Sequence, residues 1–186
     1  MESKGSLAAA ILHDMAQLQD RMGRLPEALE SYGRALELRE ELLGPMHFYV
    51  ATTLDAMANL KDRLGELSEA VAYGQRSLRV WEQVLGARHL HVGRIVFNLA
   101  SRRDQLGDRK GALDFYRRSY GIFEASGLQQ EALDALDSLA ELTWRGGDAP
   151  VALKLYRREL RLRERLLGAG HSEVLELRTF IEGLEA

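Results

Sequence analysis

The sequence predicts an all-α protein made of stacked helix-turn-helix repeats, and two observations carry the prediction. The first is a glycine that recurs at spacings of 42, 42 and 40 residues, at Gly23, Gly65, Gly107 and Gly147. The second is composition, because the 186 residues are rich in Ala, Leu, Glu and Arg and hold only 3 prolines, which favours helix. Self-similarity at a fixed period is the signature of a repeat architecture.

Each repeat is predicted to contain two helices joined at the recurring glycine. The apolar and small residues of the first repeat have helical spacing: Leu12, Met15 and Ala16 before the glycine, and Ala28, Tyr32 and Ala35 after it. The glycine ends the first helix because it tolerates a left-handed backbone conformation. Such a unit cannot bury its apolar face alone, so neighbouring repeats are expected to stack.

A second marker recurs at another phase of the same period. Leu-Leu-Gly or Val-Leu-Gly is followed three residues later by a histidine, at His47, His89 and His171. A shared phase favours a structural role in the turn, such as a hydrogen bond. His89 and His91 have a spacing that can ligate a metal, but no further ligand is near in the chain, so we expect no metal.

The repeats predict one array over residues 1–186. Its units are expected at 8–47, 48–89, 90–130 and 131–170, and a helix over 171–186 is expected to cap the last unit. Val174 and Ile181 are among the apolar residues that would cover the exposed end, as stacked repeats require.

Composition and motifs exclude several classes of function. A net charge of −3 argues against a nucleic-acid binder, and no apolar run is long enough to span a membrane. The N-terminus lacks the features of a secretory signal, so a soluble, cytoplasmic protein is expected. The absence of cysteine and of phosphate-loop, HExxH or GxSxG motifs predicts no enzyme activity and no cofactor.

The first repeat resembles the tetratricopeptide repeat (TPR) family through Leu12, Met15, Ala16, Gly23, Ala28, Tyr32 and Ala35. The 42-residue period and the Leu-Gly-x-x-His ending are similar to the kinesin light chain subtype. The resemblance implies a right-handed α-solenoid whose first helices line a concave groove that binds a peptide. The chain departs from the subtype by lacking Pro-Asp after the histidine, and it retains only Asn98 of the paired asparagines, which weakens any expectation of the same cargo.

The resemblance also indicates which residues would face the groove. The candidate peptide-binding residues are Gln17, Asp20, Asp55, Asn59, Asp62, Arg94, Phe97, Ser101, Asp137, Glu141 and Trp144. Acidic side chains outnumber arginines on this face, so the expected partner is a peptide or helix with basic and apolar residues. Phe97 and Trp144 are the expected apolar anchors, although Trp144 could instead pack beside the turn at Gly146 and Gly147.

Two other functions stay open at this stage. The array could be a structural subunit of a larger or self-associated assembly, held by its outer faces or ends. It could also be a ligand-sensing domain of a multi-domain regulator, with a small ligand in the groove.

Overall fold

The computed structural model describes residues 4–185, which form nine helices and no strand. The helices are α1 (Lys4–Arg21), α2 (Leu25–Leu43), α3 (Phe48–Arg63), α4 (Leu67–Leu85), α5 (Leu90–Gln105), α6 (Arg109–Ala125), α7 (Gln129–Arg145), α8 (Ala149–Leu167) and α9 (Ser172–Glu185). The predicted all-α, helix-turn-helix fold is confirmed. The limits of a single array stay a prediction.

The recurring glycines end the first helix of each pair. Gly23 has a φ of 76° and its N–H donates to the carbonyl of Asp20 over 3.0 Å. The same left-handed conformation occurs at Gly65, Gly107 and Gly147. A side chain at this φ would be strained, which explains why the glycine marks the repeat so clearly in the sequence.

The three phase-matched histidines all cap the next first helix. Nδ1 of His47 accepts a hydrogen bond from the Tyr49 N–H over 3.2 Å. Nδ1 of His89 accepts from the His91 N–H over 3.1 Å, and Nδ1 of His171 from the Glu173 N–H over 3.4 Å. Helix N-termini leave N–H groups without partners, and these rings satisfy one of them in each case. The predicted structural role of the histidines is confirmed.

The chain divides into two compact units, Met1–Ile95 and Val96–Ala186, and the division falls within α5. In the first unit, side chains from α1, α2 and α3 form one buried cluster that includes Tyr32, Leu54 and Leu60. Ala16 and Ala28 are completely buried where α1 meets α2. Small side chains at this crossing let the two helices approach closely, as the repeat pattern predicts.

In the second unit, buried apolar residues join α6, α7 and α8, with Phe123 and Leu136 among the largest. The last helix, α9, packs on this unit through Ile181, which shares a cluster with Ala140 and Tyr156. Of the apolar residues expected to cap the array, Val174 and Ile181 are buried, Leu177 is half-buried and Leu175 is exposed.

Candidate functional site

In every repeat, one residue of the first helix faces one residue of the second helix. We call these two residues the cross-helix pair of the repeat. The repeat period aligns them as His13 with Arg39, Asp55 with Trp81, Phe97 with Phe123, and Asp137 with Arg163. Three of the four first-helix members (Asp55, Phe97 and Asp137) belong to the predicted peptide-binding set. The chemistry of the pair changes completely from one repeat to the next.

In the first repeat the pair is buried and polar. Arg39 Nη1 donates to the Tyr49 carbonyl over 2.9 Å and to Thr53 Oγ1 over 2.6 Å, and lies 3.2 Å from His13 Nδ1. Burial, with the Arg39 charge as a second cause, lowers the pKa of His13 to about 4. His13 is therefore neutral near pH 7 and supplies no charge to its partner.

The pair of the second repeat is held by hydrogen bonds. Trp81 Nε1 donates to Asp55 Oδ2 over 2.7 Å, and Ser77 Oγ donates to the other carboxylate oxygen. His91 Nε2 lies 3.5 Å from Asp55 Oδ2, and its ring packs edge-on against Trp81. Asp55 thus organises the contact between α3, α4 and the start of α5.

The pair of the fourth repeat belongs to a charged cluster. Arg163 lies 3.6 Å from Asp137, 2.8 Å from Glu159 and 3.0 Å from Glu173. Glu159 is 0% exposed, and among the described residues the cation that reaches its carboxylate is Arg163. The pKa of Glu159 is raised to about 8, mainly by burial and next by the negative charge of Asp137. The positive charge of Arg163 acts in the opposite direction and lowers it.

The remaining predicted residues of the first unit lie on exposed or half-buried parts of the first helices. Asp20 forms an ion pair with Arg63 of the next first helix. Gln17 is exposed and lies 3.1 Å from His13 Nε2. The other three, on α3 and α5, are Asn59, Asp62 and Arg94, of which Asp62 is half-buried and the other two are exposed.

In the second unit the predicted residues differ in exposure. Phe97 is half-buried and packs edge-on against Tyr116 at 5.5 Å, so much of its apolar surface is used inside the repeat. Ser101 is half-buried beside it on α5. Glu141 and Trp144 are exposed on α7, with 61% of the Glu141 side chain and 37% of Trp144 accessible.

A recurring ion pair links consecutive first helices and neutralises part of the predicted acidic face. Asp20 pairs with Arg63 in the first unit, and Asp104 accepts from Arg145 Nη2 over 2.6 Å in the second. The acids and arginines occupy the same repeat positions in both cases. An acid already paired in this way contributes less to the attraction of a basic partner than its formal charge suggests.

Two of the buried charged residues that were not among the predicted site residues, Arg39 and Glu159, stand out when the repeats are compared. Arg39 stands where the next two repeats have Trp81 and Phe123, and Glu159 stands where Ser77 and Ser119 occur. Comparing repeats position by position would have identified both residues, because each replaces an apolar or small residue with a charge. Because α2 and α8 are rich in polar residues, the pattern of either helix alone does not distinguish Arg39 or Glu159 from its polar neighbours.

The described residues give no sign of a metal centre or a membrane span. Within 4–185, no group of three or more His, Asp or Glu side chains has the arrangement of a metal site. None of the helices described is both long and apolar enough to cross a membrane.

Sequence models of the tetratricopeptide repeat match residues 7–80, 63–125 and 132–173, which together cover most of the chain. The chain belongs to the tetratricopeptide repeat family. No curated protein matches this TPR chain at a significant level. The predicted family is therefore confirmed by the repeat models themselves.

Solved structures give the same fold. BtubC (BKLC) from P. vanneervenii aligns with a TM-score of 0.79 at 23% identity, over 90% of this TPR chain and 67% of its own. A Podosopora anserina protein with nearly identical TPR-like repeats of the kinesin light chain type aligns with a TM-score of 0.76 at 17% identity, over 100% of this chain and 98% of its own. The predicted likeness to kinesin light chain repeats is confirmed at the level of the fold.

A third structure of similar fold has a different description. Aspartyl phosphate phosphatase F from Bacillus subtilis aligns with a TM-score of 0.69 at 14% identity, over 97% of this chain and 45% of its own. At such identity the likeness concerns the fold alone, and TPR folds serve many partners. The coarse reading supported by the family is that of a protein-interaction scaffold.

Proposed function

We propose that the chain is a non-catalytic scaffold that binds a peptide or a helical segment of a partner protein on the exposed surfaces of its first helices. The observation that carries the proposal is the pair Glu141 and Trp144 on α7. They are three residues apart, so they share one face of the helix, and both are exposed. An aromatic side chain beside a carboxylate is a suitable anchor for a partner residue that is apolar or basic.

The charges around this face favour a basic partner. Glu141 is 3.5 Å from Arg145, but Arg145 also donates to Asp104 over 2.6 Å, so one guanidinium is shared between two carboxylates. Asp137 lies one turn before Glu141 and is half-buried. Acidic side chains on such a surface steer a cationic partner and select against an anionic one more than they add affinity.

The contrast with acids that are already engaged inside the repeats supports the choice of α7. Asp55 is engaged by Trp81 and Ser77, and Asp20 by Arg63. Trp144 contacts Phe180 of α9 only edge-on, with 6.5 Å between ring centroids, and keeps an accessible face. The concave groove expected from the family likeness stays a prediction.

The test is a titration of the chain with two defined peptides, one an amphipathic helix of Leu and Lys and the other its Leu and Glu counterpart. We expect the Leu/Lys peptide to shift backbone amide resonances of α7, and the Leu/Glu peptide to leave them unchanged. The double variant Glu141→Lys with Trp144→Ala should weaken binding at least tenfold, a loss of about 1.4 kcal/mol.

Asp114→Lys is the matched control, because Asp114 is equally acidic and exposed but lies on the second helix α6. It should bind the Leu/Lys peptide as the parent chain does. If both variants weaken peptide binding equally, the effect depends only on net charge and not on a contact at α7. Binding that neither variant changes would move the contact away from α7 and contradict the proposal.

A structural role in an assembly is the second candidate, and α1 favours it. Leu18 is 59% exposed, whereas its equivalent one repeat later, Leu60, is 1% exposed. Leu7 and Ile11 on α1 are also exposed, as is Met22 directly after the helix. If the chain has this structural role, sedimentation velocity should detect self-association, and Leu18→Glu should abolish it. A monomer at every concentration would contradict this candidate.

A further inference from the structure

The first unit contains a buried cation, Arg39, with which none of the described residues forms an ion pair. Arg39 is 6% exposed, and none of the ion pairs found among the described residues includes it. Its hydrogen bonds to described residues all use Nη1, with the Tyr49 carbonyl, Thr52, Thr53 and His13 as partners. Because a guanidinium stays protonated in proteins, Arg39 is a buried positive charge.

The fourth repeat also has an arginine at this position, Arg163, and there the charge is paired. Arg163 has Asp137, Glu159 and Glu173 within 3.6 Å. The position of Asp137 is filled in the first repeat by His13, which is neutral near pH 7 because burial lowers its pKa. A buried charge is normally paired, but no described residue of the first repeat places an anion within 4 Å of Arg39, as the fourth repeat does for Arg163.

A pocket of about 580 Å³ opens beside this unpaired charge. Its polar side includes His13, Arg39 and Thr52, and its apolar side includes Leu43 and Phe48. The volume lies within the range of about 300–1,000 Å³ that is typical of small-ligand pockets. Apolar walls with a few convergent polar groups are also the usual composition of such a site.

The geometry points to this pocket as a binding site for a carboxylate that is attached to an apolar group. The carboxylate is placed on the Arg39 guanidinium with the Thr52 hydroxyl beside it, and the apolar group on Leu43 and Phe48. The Tyr49 ring, whose centroid lies 5.2 Å from the Arg39 guanidinium carbon, closes one side of the charge. Planar pairing with carboxylates is the interaction for which arginine is best suited.

Asp14 sets the selectivity of the pocket. It lines the same cavity, is exposed, and its negative charge acts on both Arg39 and His13 without forming an ion pair within 4 Å. It should weaken the binding of an anion and exclude ligands with a second negative charge. This site goes beyond the proposed function, because it lies in the first unit and takes an anionic ligand, opposite in charge to the partner of α7.

The test compares two probes that differ only in charge, 3-phenylpropionate and its amide, by calorimetry and by NMR shifts of α1, α2 and α3. We expect saturable binding of the acid and none of the amide. A tetrapeptide that ends in phenylalanine is tested with a free and with an amidated C-terminus. A gain in affinity for the free peptide over 3-phenylpropionate assigns the site to a protein C-terminus, and equal or weaker binding assigns it to a small acid.

Three variants complete the test. Arg39→Gln should abolish binding of the acid. Asp14→Asn leaves the core untouched and should tighten binding about twofold, as expected for removal of a like charge several ångströms away. Glu37→Gln, an exposed acid on α2 outside the pocket, should change nothing.

If Arg39→Gln does not fold, the acid and amide probes together with Asp14→Asn still decide the matter. The proposal is overturned if the acid fails to saturate at about 20 mM, well above the affinity expected for a ligand of this size. It is also overturned if the amide binds equally well, or if Asp14→Asn leaves the affinity of the acid unchanged.

Discussion

Trp81 Nε1 donates a hydrogen bond to Asp55 Oδ2 over 2.7 Å and thereby joins the two helices of the second repeat. The indole is 4% exposed, so its N–H has no access to bulk water as an alternative partner. A residue chosen from the sequence for peptide binding therefore has a structural contact of its own. The same pair of positions is apolar in the third repeat and ionic in the fourth.

Removal of the Asp55 carboxylate should destabilise the first unit. Asp55→Ala leaves the buried Trp81 N–H without an acceptor and the Ser77 hydroxyl with only the Ala51 carbonyl at 3.3 Å, which should lower the free energy of unfolding by about 2 kcal/mol. Asp55→Asn keeps one carbonyl acceptor and should cost less. Urea unfolding followed by tryptophan fluorescence measures both. Glu141→Gln is the exposed control, and a loss for Asp55→Ala no larger than that of the control would contradict the structural role.

Glu159 should make the second unit less stable as pH rises. Its pKa is about 8 in the folded protein because of burial first and the Asp137 charge second, against an ordinary value of 4.5. Between these values the folded state holds a proton that the unfolded state has lost, so stability falls by up to about 1.4 kcal/mol per pH unit. Above the folded pKa the loss is complete, and below 4.5 the full stability is present.

Glu159→Gln provides the control for this pH dependence. The amide is neutral at every pH, so the variant should lose the decline between pH 4.5 and 8 and exceed the parent chain in stability at the alkaline end. Chemical unfolding of both chains across this window is the measurement. A parent chain whose stability is flat or rises with pH in this window, relative to the variant, is inconsistent with a protonated Glu159.

His13 should stay neutral well into the acid range. Desolvation, assisted by the Arg39 charge and opposed by Asp14, lowers its pKa from 6.5 to about 4. Its contribution to stability is therefore present above 6.5 and is lost as pH falls through the folded pKa. The NMR shift of the imidazole carbon-bound protons should not move above about pH 5. Arg39→Gln should raise the midpoint, and a midpoint near 6.5 in the parent chain would show that the ring is not buried as described.

Two glycines inside second helices are sites of low intrinsic stability. At both Gly33 in α2 and Gly121 in α6, an added Cβ would meet nothing within 4 Å. Gly33→Ala and Gly121→Ala should each raise the free energy of unfolding by roughly 1 kcal/mol, because alanine is the better helix former. Gly23→Ala is the opposite control, since its φ of 76° disfavours any side chain, and it should destabilise. Thermal unfolding of all three variants tests the set, and a loss at Gly33 or Gly121 would contradict an open helix face there.

Much of the fold was predictable because the positions that define the repeat require a particular backbone conformation or side-chain size. Gly23 and its equivalents must adopt a left-handed backbone, and Ala16 and Ala28 must be small, so sequence spacing alone located the turns and the helix crossings. The recurrence of the histidines at one phase of the repeat likewise indicated a structural role in the turn, which the hydrogen bond at His47 confirms.

The site was less predictable because the partners of a surface charge come from other helices. The sequence does not show that Arg63 reaches Asp20, or that Trp81 reaches Asp55. Burial of Glu159 depends on how closely α7 and α8 pack, which single-helix periodicity does not report. Only alignment of the repeats with one another indicates which positions face each other.

The central claim is that an exposed first-helix surface of this TPR chain recognises a basic, apolar segment of another protein. The most direct measurement is selection of peptides from a randomised display library on the immobilised full chain, followed by binding of the enriched peptides to the chain and to the variant Glu141→Lys with Trp144→Ala. The account predicts enriched peptides that combine Lys or Arg with apolar residues and that lose affinity for the variant. Enrichment of acidic peptides, of none at all, or of peptides that bind the variant equally well would contradict it.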